Sequence, residues 1–147
     1  MVITKIEAQK KKGRYNIYLN DAFAFGVDEA TVVKYALFKG TELTKEQIEE
    51  IQHDDCIQQA YQKALHFLNF KLRSTKEVYE KLEKLEFDED IINEVLGKLH
   101  EQNFINDTFY AESYLNQAKF VTFKGPKSVI FDLQKKGISD KVIQTVL

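Results

Sequence analysis

Residues 60–96 read AYQKALHFLNFKLRSTKEVYEKLEKLEFDEDIINEVL, and residues 111–147 read AESYLNQAKFVTFKGPKSVIFDLQKKGISDKVIQTVL. Laid over each other at a shift of 51 residues, the two stretches align without a gap. Eight positions are identical: Ala60/Ala111, Lys76/Lys127, Val78/Val129, Leu82/Leu133, Lys84/Lys135, Ile92/Ile143, Val95/Val146 and Leu96/Leu147. Arg73/Lys124, Phe87/Ile138, Glu89/Asp140 and Ile91/Val142 are chemically alike. Shared helical periodicity accounts for matched Leu, Val and Ile. It accounts poorly for the matched start signals. Ser74-Thr75 in one copy becomes Gly125-Pro126 in the other, with Pro at the first helical position. Asp88 becomes Ser139, and both are good N-caps. The stretch is read as a tandem duplication.

Each copy spells three helices. In the first, Asp54 or Asp55 opens a helix with Ile57, Ala60, Tyr61, Ala64, Leu65 and Leu68 at three- and four-residue steps. Ser74-Thr75-Lys76-Glu77 is a capping box opening a second, with Val78, Leu82 and Leu85 inward. Asp88 caps a third, with Ile91, Ile92, Val95, Leu96 and Leu99 inward. Helices this short draw stability from mutual packing rather than from propensity. Tandem units of this kind stack into an elongated, curved shape with a long contact face. The third helix of the first copy runs to about Asn103, so its counterpart is expected to run past Leu147, as in part of a longer protein.

Residues 1–52 read differently. Ile3–Ala8, Tyr15–Leu19 and Ala22–Val27 alternate as strands, with Tyr15, Ile17 and Leu19 on one face and Asn20-Asp21 as a tight turn. Such a sheet needs a cover. A helix from Asp28 through Ala30, Val33 and Leu37, ended by Gly40, supplies one. Thr44-Lys45-Glu46-Gln47 is a further capping box, followed by Ile48 and Ile51. The expected fold is mainly α: tandem three-helix bundle repeats at 53–106 and 107–147, preceded by a small α+β unit with a three-stranded antiparallel sheet at 1–52.

The 147 residues are 44% hydrophobic and 30% charged, enough to form a core and stay in solution. One cysteine, Cys56, excludes a disulfide framework within the chain. No apolar run reaches membrane length and no signal-peptide pattern opens the chain, so a cytoplasmic protein is expected. The net charge of -2 averages unlike segments: residues 1–53 are neutral, 54–105 carry -4 and 106–147 carry +2. The basic residues are 19 Lys and two Arg, Arg14 and Arg73, a balance read as the bias of an AT-rich genome.

Catalytic signals are missing. There is no Walker A loop, GxGxxG or G-x-S-x-G motif. His53, His66 and His100 lack metal-ligand spacing, and the acidic runs Asp54-Asp55 and Asp88-Glu89-Asp90 suit helix starts. The chain is read as a non-enzyme with no catalytic or metal residue, no cofactor and no small-molecule substrate. Basic residues recur instead. Lys71, Arg73 and Lys76 precede one helix, and Lys119, Lys124 and Lys127 stand at the same place in the second copy. Stacked repeats would bring these six to one face, suited to phosphates or an acidic protein groove. Lys10, Lys11, Lys12 and Arg14 form a basic hairpin tip. Tyr79, Phe109, Tyr110, Tyr114, Phe120 and Phe123 are assigned to the bundle cores, in preference to a base-stacking platform.

Three stretches together resemble the bacterial RecX regulatory proteins over roughly residues 55–147. They are Ala64–Leu68 followed by Lys71–Val78, then Leu99 through Asn103-Phe104-Ile105-Asn106-Asp107-Thr108-Phe109-Tyr110-Ala111, then Lys124-Gly125-Pro126 with Leu133 and Lys136-Gly137-Ile138-Ser139. The sequence departs from the family pattern at Lys71, where Arg is usual, at Asn103, where Gly is common, and at Asn106, where Asp is common. The N-terminal β unit resembles the extension of longer family members, which carry at least one more repeat. The resemblance implies a regulator of the RecA recombinase, bound in the groove of its filament on single-stranded DNA. It would restrain ATP hydrolysis, strand exchange and filament growth in recombination, DNA repair and the SOS response. Direct binding of single- or double-stranded DNA is implied for some members, and no catalytic residue transfers. The alternative is a helical-repeat nucleic-acid-binding module without a recombinase partner.

Overall fold

The computed structural model describes residues 1–147, which divide into two compact units, Met1–Gln59 and Ala60–Leu147. In the first unit, β1 (Ile3–Ala8), β2 (Arg14–Leu19) and β3 (Ala22–Asp28) form an antiparallel sheet in the order β1-β2-β3. The β2–β3 turn places Asn20 and Asp21 at φ 48° and 66°, the left-handed pair that matches strand twist in a two-residue hairpin. Register shifts between Ile3 and Lys5, and between Ile17 and Tyr18, mark bulges in the two outer strands. Ile3, Ile17, Leu19, Phe25 and Val27 pack from the sheet against Leu37, Leu43 and Ile51.

The cover differs from the expected one. Helix α1 spans only Glu29–Lys34, and Ala36 at φ 50° turns the chain out of it well before Gly40. Its buried residue is Thr31, whereas Val33 is 73% exposed. The Thr31 hydroxyl donates to Asp55, and that bond sets which face turns inward. Gly40 lies in the loop that follows: its amide donates to the Ile3 carbonyl, while the Ile3 amide donates to Thr41. Residues 40–43 thus cover the β1 edge.

Helix α2 runs unbroken from Lys45 to Leu68. Its Thr44–Gln47 capping box is formed, with the two reciprocal bonds at 3.1 and 2.8 Å. Asp54 and Asp55 therefore lie inside a helix and do not begin one. Tertiary partners hold them there. Asp55 accepts from the Asp28 amide at 2.8 Å, Thr31 at 3.1 Å and Gln59 at 2.7 Å. Asp54 accepts from Lys34 at 2.8 Å and from the Tyr35 hydroxyl. With no Gly or Pro from 45 to 68, nothing else interrupts the helix. The division between the two compact units falls inside α2, after Gln59.

The second unit holds the end of α2, α3 (Thr75–Lys84), α4 (Glu89–Glu101), α5 (Asp107–Gln117), a π-helical turn (Ala118–Thr122), α6 (Pro126–Lys135) and α7 (Asp140–Val146). The repeat survives in three dimensions. Adding 51 to the bounds of α3 gives the bounds of α6, and the first residues of α4 and α7 correspond in the same way. Val78/Val129, Leu82/Leu133, Ile92/Ile143 and Ala60/Ala111 are buried in both copies. Glu86 and Gly137, also 51 apart, both take the left-handed conformation, at φ 69° and 81°. In each copy the next amide then donates back across the helix end, Phe87 to Leu82 and Ile138 to Leu133.

One expectation about the bundle cores is overturned. Tyr110 is buried, and Tyr79 and Tyr114 are half-buried, but Phe109, Phe120 and Phe123 are exposed. The core of the second copy is filled by aliphatic side chains with Tyr110.

Candidate functional site

The two copies meet where the start of α3 touches the end of α6. Ser74, fully buried, closes the α3 capping box with Glu77 and also donates its hydroxyl to the Lys136 carbonyl at 2.7 Å. The Lys76 amine donates to the Lys135 carbonyl, and Lys136 donates to Glu77 at 3.4 Å. Glu77 is held below the ordinary carboxylate range: burial pushes it up, but the Ser74 amide, Lys136 and Arg73 outweigh burial. Tyr110 beside it is pushed up to about 12, by burial first and then by the Glu77 charge.

The two arginines are structural in this geometry. Arg14 lies in β2 rather than at the exposed hairpin tip of Lys10, Lys11 and Lys12. Its side chain is 16% exposed, and its guanidinium bonds Asp28 at 2.7 Å and approaches Asp55 at 3.4 Å. Arg73 is 17% exposed, with its guanidinium 3.9 Å from the Phe67 ring centre and 3.9 Å from Glu77. Both use the planar fork that Lys lacks.

The six basic positions of the repeats divide three ways. Arg73 and Lys76 belong to the joint. Lys71 and Lys124 line two neighbouring cavities of about 320 and 310 Å³ that share Tyr114 and Lys136. Lys135 lines the second. Within them Lys124 donates to Asp132 at 2.8 Å, and the Tyr114 hydroxyl donates to Asp132 at 2.5 Å. Those bonds, Lys124 first, hold the Asp132 carboxyl low, while the bond to Asp132 raises Lys124 and Tyr114. Lys119 and Lys127 are exposed on either side of the Phe120–Phe123 stretch. Lys135, Lys136 and Tyr114 stand out in the sequence only as repeat, signature and core positions, not as site residues. Their role depends on α6 folding back to α3 and α5, which no local pattern encodes.

The arrangement offers ammonium groups to an anionic surface. No three His, Cys, Asp or Glu side chains are placed to hold a metal ion, and no helix is long and apolar enough to cross a membrane. Fold and site together define a helical-repeat protein with a small β-sheet unit at its N-terminal end and a lysine-lined cleft in its repeat region.

Comparison with known proteins names the family. Residues 1–44 match the regulatory protein RecX N-terminal domain, and residues 60–99 match the RecX first three-helix domain. Regulatory protein RecX of Leuconostoc mesenteroides is 45% identical over 145 residues, covering 99% of this chain and 54% of the relative. That of Bacillus subtilis is 41% identical over 146 residues, covering 99% and 55%. A crystal structure of regulatory protein RecX superposes with a TM-score of 0.78 at 38% identity, over 99% of this chain and 72% of that one. The chain belongs to the RecX family of regulatory proteins, which is not a family of enzymes. It spans about half the length of the curated relatives it matches.

Proposed function

We propose that the chain regulates the RecA recombinase by binding its filament on single-stranded DNA, in the filament groove. There it restrains ATP hydrolysis, strand exchange and filament growth, in the cytoplasm, during recombination, DNA repair and the SOS response. Family membership over nearly the whole chain carries this reading. The joint between the repeats supports it. Ser74, Lys76 and Gly137 lock two three-helix units into one body, so contacts on both can engage neighbouring protomers together. The cleft lysines Lys71 and Lys135 supply cations for an acidic protein surface or phosphates, flanked by Lys124 and Lys136, which are paired with Asp132 and Glu77.

The test is a titration of DNA-dependent RecA ATPase with this chain and with the longer protein. Inhibition at or below stoichiometric amounts is expected. An ATPase rate untouched by the longer protein refutes the reading. If that chain also binds DNA with steep salt dependence and ignores RecA, it is a nucleic-acid module instead.

A further inference from the structure

Helix α5 does not end like the corresponding stretch of the first copy. It widens into the π-helical turn Ala118–Thr122, closed by the Lys124 amide donating to the Ala118 carbonyl at 3.0 Å. Phe123 then takes the left-handed conformation, φ 54° and ψ 37°. A phenylalanine there costs about 1–2 kcal/mol. That cost does not serve the core, because Phe123 is 80% exposed and Phe120 is 74% exposed. Residues 119–128 are all exposed. π-Helical turns and non-glycine left-handed residues gather at functional positions.

The chemistry of the stretch selects its partner. From Lys119 to Phe131 there are three lysines and no carboxylate, in a chain whose net charge is -2. An apolar protein groove would not call for this interleaving of cations and rings. A bilayer surface would call for a regular helix with one apolar face, and here the helix is broken by the π-turn, Phe123 and Gly125. Flat aromatic faces with ammonium groups beside them match bases and phosphates of one strand. Phe120 and Phe123 are three residues apart, at most about 11 Å even in extended chain, within one turn of backbone.

We propose that residues 119–127 form a stacking ledge for single-stranded nucleic acid. Phe120 and Phe123 receive bases, and Lys119 and Lys127 receive phosphates. Lys124 is committed to Asp132 and shapes the ledge rather than meeting the strand. The inference concerns the chain alone and does not depend on the recombinase.

The experiment is fluorescence anisotropy of the 147-residue chain with a labelled oligo-dT and with an abasic oligonucleotide of equal length. Wild-type protein should bind oligo-dT at low salt at least tenfold more tightly than the abasic strand. Phe120→Ala with Phe123→Ala should weaken oligo-dT binding by about tenfold or more and leave abasic binding unchanged. Phe120→Tyr with Phe123→Tyr should retain it, and both variants should melt with the wild type because the rings are exposed. Lys119→Gln with Lys127→Gln should make the salt slope of log affinity shallower by about 1.4. Equal affinity for both strands, or oligo-dT binding unmoved by the alanine pair, overturns the ledge. So does failure of the wild type to bind oligo-dT. A chain that inhibits RecA yet ignores the oligonucleotide overturns this inference alone.

Discussion

Replacing Gly137 by Ala should open the joint between the repeats. A left-handed residue other than Gly costs about 1 kcal/mol, and Glu86, at the same place in the first copy, shows the conformation is tolerated. The larger effect is steric. A Cβ on Gly137 would lie 2.5 Å from the Lys76 Cβ and 2.6 Å from its Cδ. The Lys76 Cβ is fixed by the α3 backbone and cannot swing aside as a side-chain end could. The turn or α3 must move, at an overpacking cost of about 1–3 kcal/mol. That movement stretches the 2.7 Å bond from Ser74 to the Lys136 carbonyl, worth about 1 kcal/mol. The expected loss is about 3–5 kcal/mol in all. Urea unfolding followed by circular dichroism measures it. Glu86→Gly is the internal control and should stabilise by up to about 1 kcal/mol. Lys76→Gly removes the colliding Cβ, so in that background Gly137→Ala should cost only about 1 kcal/mol. A Gly137→Ala loss near 1 kcal/mol in the wild type, or one unchanged beside Lys76→Gly, refutes the steric joint.

Asp55→Ala should destabilise the first unit by about 3 kcal/mol, read by urea midpoint, because it leaves the largely buried Arg14 short of one carboxylate and the Asp28 amide unpaired. The depressed Glu77 carboxyl contributes stability that is present above the unfolded value near 4.5 and is lost as pH falls through its lower folded value. Urea midpoints between pH 6 and pH 3 should therefore fall, and Glu77→Gln should flatten part of that fall. Arg73→Lys should cost about 1 kcal/mol in the same assay, since an ammonium cannot stack flat on Phe67. Lys71→Glu combined with Lys124→Glu and Lys127→Glu should raise the amount of chain needed to inhibit RecA ATPase at least tenfold. An unshifted titration curve would remove these basic positions from the recombinase contact.

The 51-residue period, the capping boxes at Thr44 and Ser74, and the inward Val78, Leu82, Val129 and Leu133 were all legible in the chain. Caps and helical periodicity are set by neighbours within four residues, so a linear reading reaches them. The family signature was legible for the same reason: it is carried by short local stretches.

Other features were settled by partners far along the chain. Asp54-Asp55 has the composition of a helix start, yet Lys34 and Thr31, more than 19 residues away, hold the pair inside α2. Arg14 and Arg73 have the composition of surface cations, yet Asp28 and Phe67 lie against them in the fold. Gly137 looks like an ordinary helix-ending glycine, and only the approach of Lys76 makes its missing side chain a requirement of packing. Phe120 and Phe123 have the composition of core and stand in solvent, while the second-copy core is built with Leu115, Ala118 and Leu133. Local sequence determined which helices form and where they begin. Tertiary packing decided which charges are structural and which rings remain outside, because burial depends on volume and partners that no single segment contains.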